Sequence, residues 1–254
     1  MLRQELLPFF DIENVRKMLL LSKLSNQIII DHFLGDFSRL KVLIASHWNI
    51  PLQELHNFQT LDQIHQSNRL FNVKDSPFTY LRFNQEKKKF DYLAYPGGNW
   101  EHKQISFNYK FKNFPGSQFG KPSVNLHYDS DIYAWVMASN IKTARYHVYL
   151  LHGRKGKSNC RELNYINVNA IVQQSDDTGK IEEQKYNLIH EVFIKNENFD
   201  SMMLEQIIKE KIGEIDLTQY NTSSCNVKID FENFGVPSHK FAWILDGMIL
   251  EPIQ

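Results

Sequence analysis

Hydrophobic and polar positions alternate from residue 124 to residue 137, where the sequence reads VNLHYDSDIYAWVM. If this stretch is one β-strand, alternate side chains lie on opposite faces. One face is then mostly apolar and suited to cover a core, whereas the other carries His127, Asp129 and Asp131. The alternation therefore predicts a strand that presents three groups able to bind a metal or to transfer a proton.

The first 70 residues instead repeat their apolar positions at helical spacing. Asp11 is a candidate N-cap for a long first helix, and a second helix is predicted over residues 37–47. Thr60 and Gln63 have the spacing of a capping box, which predicts a third, short helix. The pattern thus predicts an N-terminal helical unit over residues 1–75.

From Pro77 onward, aromatic and β-branched residues become dense, and Gly, Pro and Asn interrupt the chain at short intervals, which favours strands and turns. The cleanest alternation, over residues 225–232, predicts a half-buried strand, whereas residues 199–212 predict one late helix. The predicted fold class is α+β. The helical unit precedes a mainly antiparallel, curved β-sheet or sandwich of seven or eight strands over residues 76–254, and the two parts could form one continuous domain.

Composition changes this picture little. Lys and Arg together number 29, as do Asp and Glu, so the net charge indicates no partner. Cys160 and Cys225 are the only cysteines, which excludes a four-cysteine zinc site and a disulfide-dense secreted scaffold. Neither a signal peptide nor an apolar run of membrane-spanning length is evident. We therefore expect a cytoplasmic protein without a membrane partner, and a homo-oligomer remains open.

The strongest candidate for chemistry is the trio His127, Asp129 and Asp131. Alternate residues on a strand lie about 7 Å apart, close enough to share one cation. Asp129 and Asp131 could hold Mg²⁺ for phosphodiester hydrolysis, with one of the trio as the general base. His127 and Asp129 with the distant His190 would instead resemble a non-haem iron site. The same residues could also be solvated side chains on the wet face of an antiparallel strand.

A second candidate combines Asp91 with Glu101 and Lys103, in the pattern of nucleases that bind magnesium through two acids and orient water with a lysine. If residues 96–99 form a hairpin loop, Asp91 lies opposite Gln104. Glu101 and Lys103 then point to the other face, so this site requires a β-bulge.

A basic, glycine-containing segment follows His152 and could bind phosphate through its cations and amide groups. The predicted phosphate-binding residues are Arg145, Arg154, Lys155, Lys157 and Arg161. The segment lacks the spacing of a P-loop, and it could equally be an exposed hairpin loop.

Aromatic and lysine residues interleave over residues 78–112, a pattern that suits stacking on bases or sugars but also ordinary core packing. Together these features favour an enzyme that acts on nucleic acid, a metal-dependent endonuclease of the restriction type. The alternative is a non-catalytic β-sandwich that binds a glycan or a protein, or a phage-type structural subunit. A non-haem iron oxygenase is a third interpretation.

Overall fold

The computed structural model describes residues 37–87, 89–96, 108–128, 132–154, 167–175, 181–189, 206–220, 224–233 and 241–253. Within them, helices α1 (Phe37–Trp48) and α2 (Leu61–Gln66) flank a short 3-10 helix (Leu52–Leu55). The predicted capping box of α2 is confirmed, because the Thr60 hydroxyl accepts a hydrogen bond from the Gln63 amide while the Gln63 side chain accepts one from the Thr60 amide, both at 3.3 Å. The predicted first helix lies outside the described residues.

Twelve β-strands follow in the described ranges. They are β1 (Phe71–Val73), β2 (Ser76–Asn84), β3 (Lys89–Ala94), β4 (Asn108–Lys112), β5 (Ser123–Tyr128), β6 (Ile132–Lys142), β7 (Arg145–Arg154), β8 (Asn167–Ser175), β9 (Ile181–Ile189), β10 (Ile208–Asp216), β11 (Ser224–Asn233) and β12 (Phe241–Pro252). Every strand pair that the structure describes is antiparallel.

The larger sheet, sheet A, is organised around β12. Along one edge β12 pairs with β7, and its other edge is shared, because β5 pairs with residues 241–245 and β3 with residues 248–250. Strands β2 and β1 continue the sheet beyond β3, β4 continues it beyond β5, and β10 pairs with β7. Sheet B has four strands in the order β6-β11-β8-β9.

The two sheets enclose one hydrophobic core in a sandwich-like arrangement. Val227 and Ile229 of sheet B belong to the same buried cluster as Met248 and Leu250 of sheet A. Their burial follows from the two-residue period of a strand, which turns every second side chain toward the opposite sheet. The mostly antiparallel β part of the predicted fold class is therefore confirmed.

The helices pack on the same core. Leu40, Ile44 and Ile64 join the cluster that includes the strand residues, and the Trp48 ring lies 4.9 Å from that of Phe90. The structure does not test the predicted boundary between residues 1–75 and residues 76–254. None of the described helices is long and apolar enough to cross a membrane.

The prediction of one continuous strand over residues 124–137 is wrong. Strand β5 belongs to sheet A and β6 belongs to sheet B, and residues 129–131 between them lie outside the described ranges. Alternation assigns side chains to common faces only within one strand. A face shared by His127, Asp129 and Asp131 therefore does not follow from the pattern.

The late helix predicted over residues 199–212 is wrong from Ile208 onward, where the chain forms β10. The register shift beside Gly213 is a β-bulge, and it lets both Ile212 and Ile215 face the core although they lie three residues apart. The helix was predicted from the spacing of Met202, Met203, Ile207 and Ile208, but Ile208 is the first residue of β10. The number of strands was also too low, since the described residues alone contain twelve.

Candidate functional site

Each sheet has one face in the core and one outer face turned away from it. On β11 the buried Val227 and Ile229 alternate with residues of the outer face. The outer face of sheet B comprises the side chains of Trp135, Met137, Asn169, Ile171, Gln173, Asn226, Lys228 and Asp230.

One rung of this outer face places an aromatic ring, a carboxylate and an amide side by side. Asp230 lies opposite Trp135 on β6 and opposite Asn169 on β8. Cβ atoms of opposing residues in antiparallel strands are about 4.5–5.5 Å apart, so the three groups span roughly 10 Å. Asp230 is 3% exposed and Asn169 is 5% exposed. Polar groups this deep on an outer face require partners within the protein or in a ligand.

Lys228 is one such partner. Its Nζ atom lies 2.7 Å from Oδ1 of Asp230 and 5.4 Å from the centroid of the Trp135 ring. The ion pair supplies a counter-charge to a nearly inaccessible carboxylate, and the cation is also attracted to the ring. Lys228 is thus an ion-pair partner of the carboxylate, although Oδ1 of Asp230 accepts no hydrogen bond with good geometry in the described part of the chain.

The rung can recognise a compact, polyhydroxylated ring. A carboxylate accepts hydrogen bonds, and an amide both accepts and donates them, as neighbouring hydroxyl groups require. An aromatic ring offers an apolar surface to C–H groups. Further along the same face, Nε2 of Gln173 donates to Oε1 of Glu183 at 2.7 Å, which adds polar groups to the surface.

The outer face of sheet A carries two buried carboxyl groups at neighbouring positions. Tyr92 of β3 and Leu250 of β12 are paired, and both belong to the core. Asp91 precedes Tyr92 and Glu251 follows Leu250, so both acids lie on the outer face. Asp91 is 2% exposed and Glu251 is 3% exposed. Two acids this close and this buried oppose each other's ionisation.

The surrounding side chains satisfy the two acids unequally. Glu251 accepts hydrogen bonds from both Lys87 and Lys209, one at each carboxylate oxygen. Asp91 accepts one from Nδ2 of Asn84 at 3.0 Å through Oδ2, while no donor in the described part of the chain reaches Oδ1. The face therefore holds one fully paired carboxylate and one half-paired carboxyl group.

The pKa values of the two groups move in opposite directions for this reason. Burial raises the pKa of Asp91 to about 6, and the hydrogen bond from Asn84 offsets only part of that increase. Burial also acts to raise the pKa of Glu251, but the hydrogen bonds from Lys209 and Lys87 outweigh it and lower the pKa.

Side chains of the protein itself fill the adjoining part of the outer face of sheet A. The Phe119 ring lies 5.3 Å from that of Tyr95 and 5.8 Å from that of Tyr80. Asp246 accepts hydrogen bonds from the Ser123 hydroxyl at 2.6 Å and from the Gln118 amide at 2.9 Å. The segment over residues 113–122 thus covers this part of the sheet, and Oε1 of its Gln118 accepts a hydrogen bond at 2.6 Å from Arg82, the residue opposite Asp91.

The structure places the predicted catalytic residues only in part. His127 lies on β5 opposite Ala242 of β12, and the structure describes only its backbone. Asp129 and Asp131 lie outside the described residues altogether, as does His190. The grouping of these residues stays a prediction.

The predicted phosphate-binding residues are not brought together by the described part of the chain. Arg145 begins β7, where its Nε atom lies 3.7 Å from Oδ2 of Asp216 in an exposed ion pair. Arg154 ends the same strand, and Lys155, Lys157 and Arg161 lie outside the described residues.

The exposed hairpin loop predicted from His152 is wrong at its start. His152 is an interior residue of β7 with 0% exposure, and its Nε2 atom lies 2.7 Å from Oε2 of Glu210. Moreover, β7 lies in sheet A and β8 lies in sheet B, so no hairpin joins them.

The hairpin that would set Asp91 opposite Gln104 is also wrong. One edge of β3 pairs with β2 and the other pairs with β12, which leaves no edge for a following strand. Glu101 and Lys103 lie outside the described residues. Many aromatics of the interleaved segment are core residues rather than a ligand surface; Tyr80, Phe83, Phe90, Tyr92 and Tyr95 are all buried.

Sequence reasoning missed both outer-face clusters. The alternation over residues 225–232 did predict that Asp230 would face away from the core. The signal that joins it to Trp135 and Asn169 is strand pairing between segments far apart in the sequence, which the pattern does not specify.

No protein-family model matches the chain, and no curated protein matches it. Solved structures that resemble it include TmCBM61 in complex with β-1,4-galactotriose, with 12% identity over 53% of this chain and 72% of that chain and a TM-score of 0.27. The xylan-binding module CBM15 is 10% identical over 60% of this chain and 95% of that chain, with a TM-score of 0.28. The apo form of a cyclase from Fischerella sp. is 13% identical over 63% of this chain and 82% of that chain, with a TM-score of 0.30.

The prediction of a metal-dependent endonuclease with a nucleic-acid partner is wrong. Carbohydrate-binding modules recur among the solved structures that the chain resembles, and the structures that we name include no nuclease. Within the described residues, no three His, Cys, Asp or Glu side chains form a group that could hold a metal ion. The Mg²⁺ site at Asp129 and Asp131 lies outside those residues and is untested. TM-scores near 0.3 do not allow a ligand of these structures to be assigned to this chain.

Proposed function

We propose that the chain is a non-catalytic β-sandwich binding protein whose outer face of sheet B binds a glycan. The observation that carries this proposal is the rung of Trp135, Asp230 and Asn169. It offers a partner for each of the two features of a sugar ring: the carboxylate and the amide can bind hydroxyl groups, and the indole can contact the apolar C–H surface.

The geometry of the rung favours a ligand with closely spaced polar groups. Because the carboxylate and the amide lie on adjacent strands, about 4.8 Å separates their backbones. Vicinal hydroxyl groups can then donate to Asp230 while the amide of Asn169 donates to one of their oxygens. Trp135 lies on the other side of Asp230, where a second ring of the same glycan could stack.

Lys228 contributes preorganisation. Its ion pair with Asp230 holds the carboxylate in place before a ligand arrives, so less conformational entropy is lost on binding. Recognition of this kind needs no nucleophile and no metal. The proposed compartment remains the cytoplasm, which agrees with the two cysteines of the chain, of which Cys225 is buried.

The test is binding of the full chain to neutral glycans by isothermal titration calorimetry, with soluble xylan and β-1,4-galactotriose as the first probes and a neutral glycan array for breadth. Trp135→Ala is expected to weaken binding about tenfold or more, and Trp135→Phe should retain most of it. Asp62→Asn, in the exposed first turn of α2, is the control and should bind as the wild type does.

Salt provides an independent check. Hydrogen bonds and stacking with a neutral sugar should change little between about 50 and 200 mM salt, whereas binding driven by charge should weaken steeply. Failure of every neutral glycan to bind, or equal affinity of Trp135→Ala and the wild type, would contradict the proposed site.

A further inference from the structure

The outer face of sheet A offers donors and an acceptor beside each other. Lys87 and Lys209 each donate to Glu251, and their side chains are 28% and 40% exposed. An ammonium group has three donors, so each lysine keeps hydrogens for a further acceptor. The two cations stand on either side of one carboxylate and face solvent beyond it.

The acceptor is Oδ1 of Asp91. It is buried, and no donor in the described part of the chain reaches it, whereas Oδ2 is held by Asn84. A buried carboxylate oxygen without a donor costs free energy, which a hydrogen-bond donor from a ligand would recover. The pKa of Asp91, raised by burial to about 6, reflects the same lack of stabilising partners.

The charge of the cluster favours an anion. The positive side chains are Arg82, Lys87 and Lys209, and the negative side chains are Asp91 and Glu251, which leaves one net positive charge when all are ionised. Tyr149 adds an aromatic surface, since its ring centroid lies 4.1 Å from Nζ of Lys209.

We propose that this cluster binds an acidic sugar, with the ligand carboxylate bridging Lys87 and Lys209 and a ring hydroxyl donating to Oδ1 of Asp91. The inference rests on the proposed glycan-binding function and gives it a second, acid-selective site on the opposite side of the sandwich. A neutral sugar would satisfy Asp91 but would offer the remaining ammonium hydrogens of the two lysines no charge-assisted hydrogen bond.

The experiment compares an acidic probe with a probe whose carboxylates are removed by methyl esterification. The full chain is titrated with α-1,4-linked trigalacturonate and with the same trimer fully methyl-esterified. The acidic trimer should bind about tenfold or more tightly than the ester, because charge-assisted hydrogen bonds are roughly twice as strong as neutral ones. Its affinity should fall as salt rises.

The variants are Lys209→Gln, Lys87→Gln and Asp91→Asn, with Lys74→Gln as the matched control at an exposed turn. Each of the first three should weaken binding of the acidic trimer about tenfold, and the control should not change it. Asp91→Asn keeps the size of the side chain but replaces an acceptor by a donor at one position. Its thermal unfolding midpoint should not fall, which separates a lost ligand contact from a misfolded protein.

The outcomes distinguish this inference from the proposed function. If Trp135→Ala abolishes binding of neutral glycans while the acidic trimer binds no better than its ester, the acidic site is refuted and the proposed function stands. Binding of the acidic trimer that is insensitive to Asp91, Lys87 and Lys209 also refutes it. If neither trimer nor any neutral glycan binds, both fail.

Discussion

Asp91 and Asp230 are nearly equally inaccessible, yet they occupy opposite electrostatic situations. Each lies on an outer face of the sandwich, and each is exposed by only 2–3%. Asp230 has the ammonium of Lys228 at 2.7 Å, whereas Asp91 has one amide donor and a second acid, Glu251, beside it. Burial alone therefore does not decide whether a carboxylate stabilises the fold; its partners decide.

The outer faces of sheets A and B also differ in what lies on them. On sheet A, a segment of the chain covers part of the outer face and leaves a charged cluster beside it. On sheet B, the described outer face is a ladder of aromatic, amide and charged side chains, with register shifts at Asn226 and beside Asn169. The comparison teaches that a described segment fills part of one outer face with aromatic rings, whereas the other outer face consists of half-buried and buried side chains that are mainly polar or aromatic.

The largest effect is expected from Gly247→Ala, which tests the covered part of sheet A. Gly247 has a φ of +153°, and an added Cβ would lie 2.3 Å from the carbonyl oxygen of Ala94. We expect a loss of about 3 kcal/mol or more in the free energy of unfolding, measured by urea denaturation. Gly120→Ala is the control. It also has a positive φ, +60°, but open space around the Cβ, and should lose only about 1 kcal/mol.

Asp91→Asn should stabilise the protein at neutral pH. With a folded-state pKa of about 6, Asp91 holds a proton in the folded state between about pH 4 and pH 6 that the unfolded chain has lost. The free energy of unfolding therefore falls as pH rises through that window, by up to about 3 kcal/mol at pH 7. Urea denaturation at pH 4.5 and 7.5 should show the variant gaining stability over the wild type mainly at the higher pH.

Neighbouring charges set the limits of that measurement. Arg82, Lys87 and Lys209 favour the ionised form of Asp91, while Glu251 opposes it. The lowered pKa of Glu251 contributes stability that is lost as pH falls below the ordinary pKa of 4.5, so the comparison is best kept at or above about pH 4.5. If Asp91→Asn were less stable than the wild type at pH 7.5, the ionised Asp91 would not destabilise the fold as we infer.

Asp230→Asn should have the opposite sign and a smaller size. The substitution leaves Lys228 without its counter-charge beside a buried position, and we expect a loss of about 1–3 kcal/mol at pH 7. Equal changes in the same direction for the two aspartate variants would remove the distinction between the faces.

Arg145→Gln should have the smallest effect. Its exposed ion pair with Asp216 lies outside both clusters, and such pairs contribute little to stability. The thermal midpoint and the binding of either kind of glycan should match the wild type within error. A clear loss of glycan binding would show that the ligand surface extends to this end of β7.

Much of the local structure was predictable because it depends on neighbours in the sequence. The capping box of Thr60 and Gln63 satisfies helix amides three residues away, and alternation within one strand assigns Val227 to the core and Asp230 to the outer face. The β-rich, mainly antiparallel character of residues after Pro77 follows from the same short-range preferences.

Tertiary structure alone decided which strands became neighbours. It separated β5 from β6 into different sheets, paired both edges of β3, and set Trp135, Asp230 and Asn169 on one rung. It also buried Asp91, which raised the pKa of that group, and placed Lys209 and Lys87 against Glu251, which lowered the pKa of Glu251 in spite of burial. The physical reason is that strand pairing and burial are long-range, whereas the sequence pattern records only the two-residue and 3.6-residue periods along the chain.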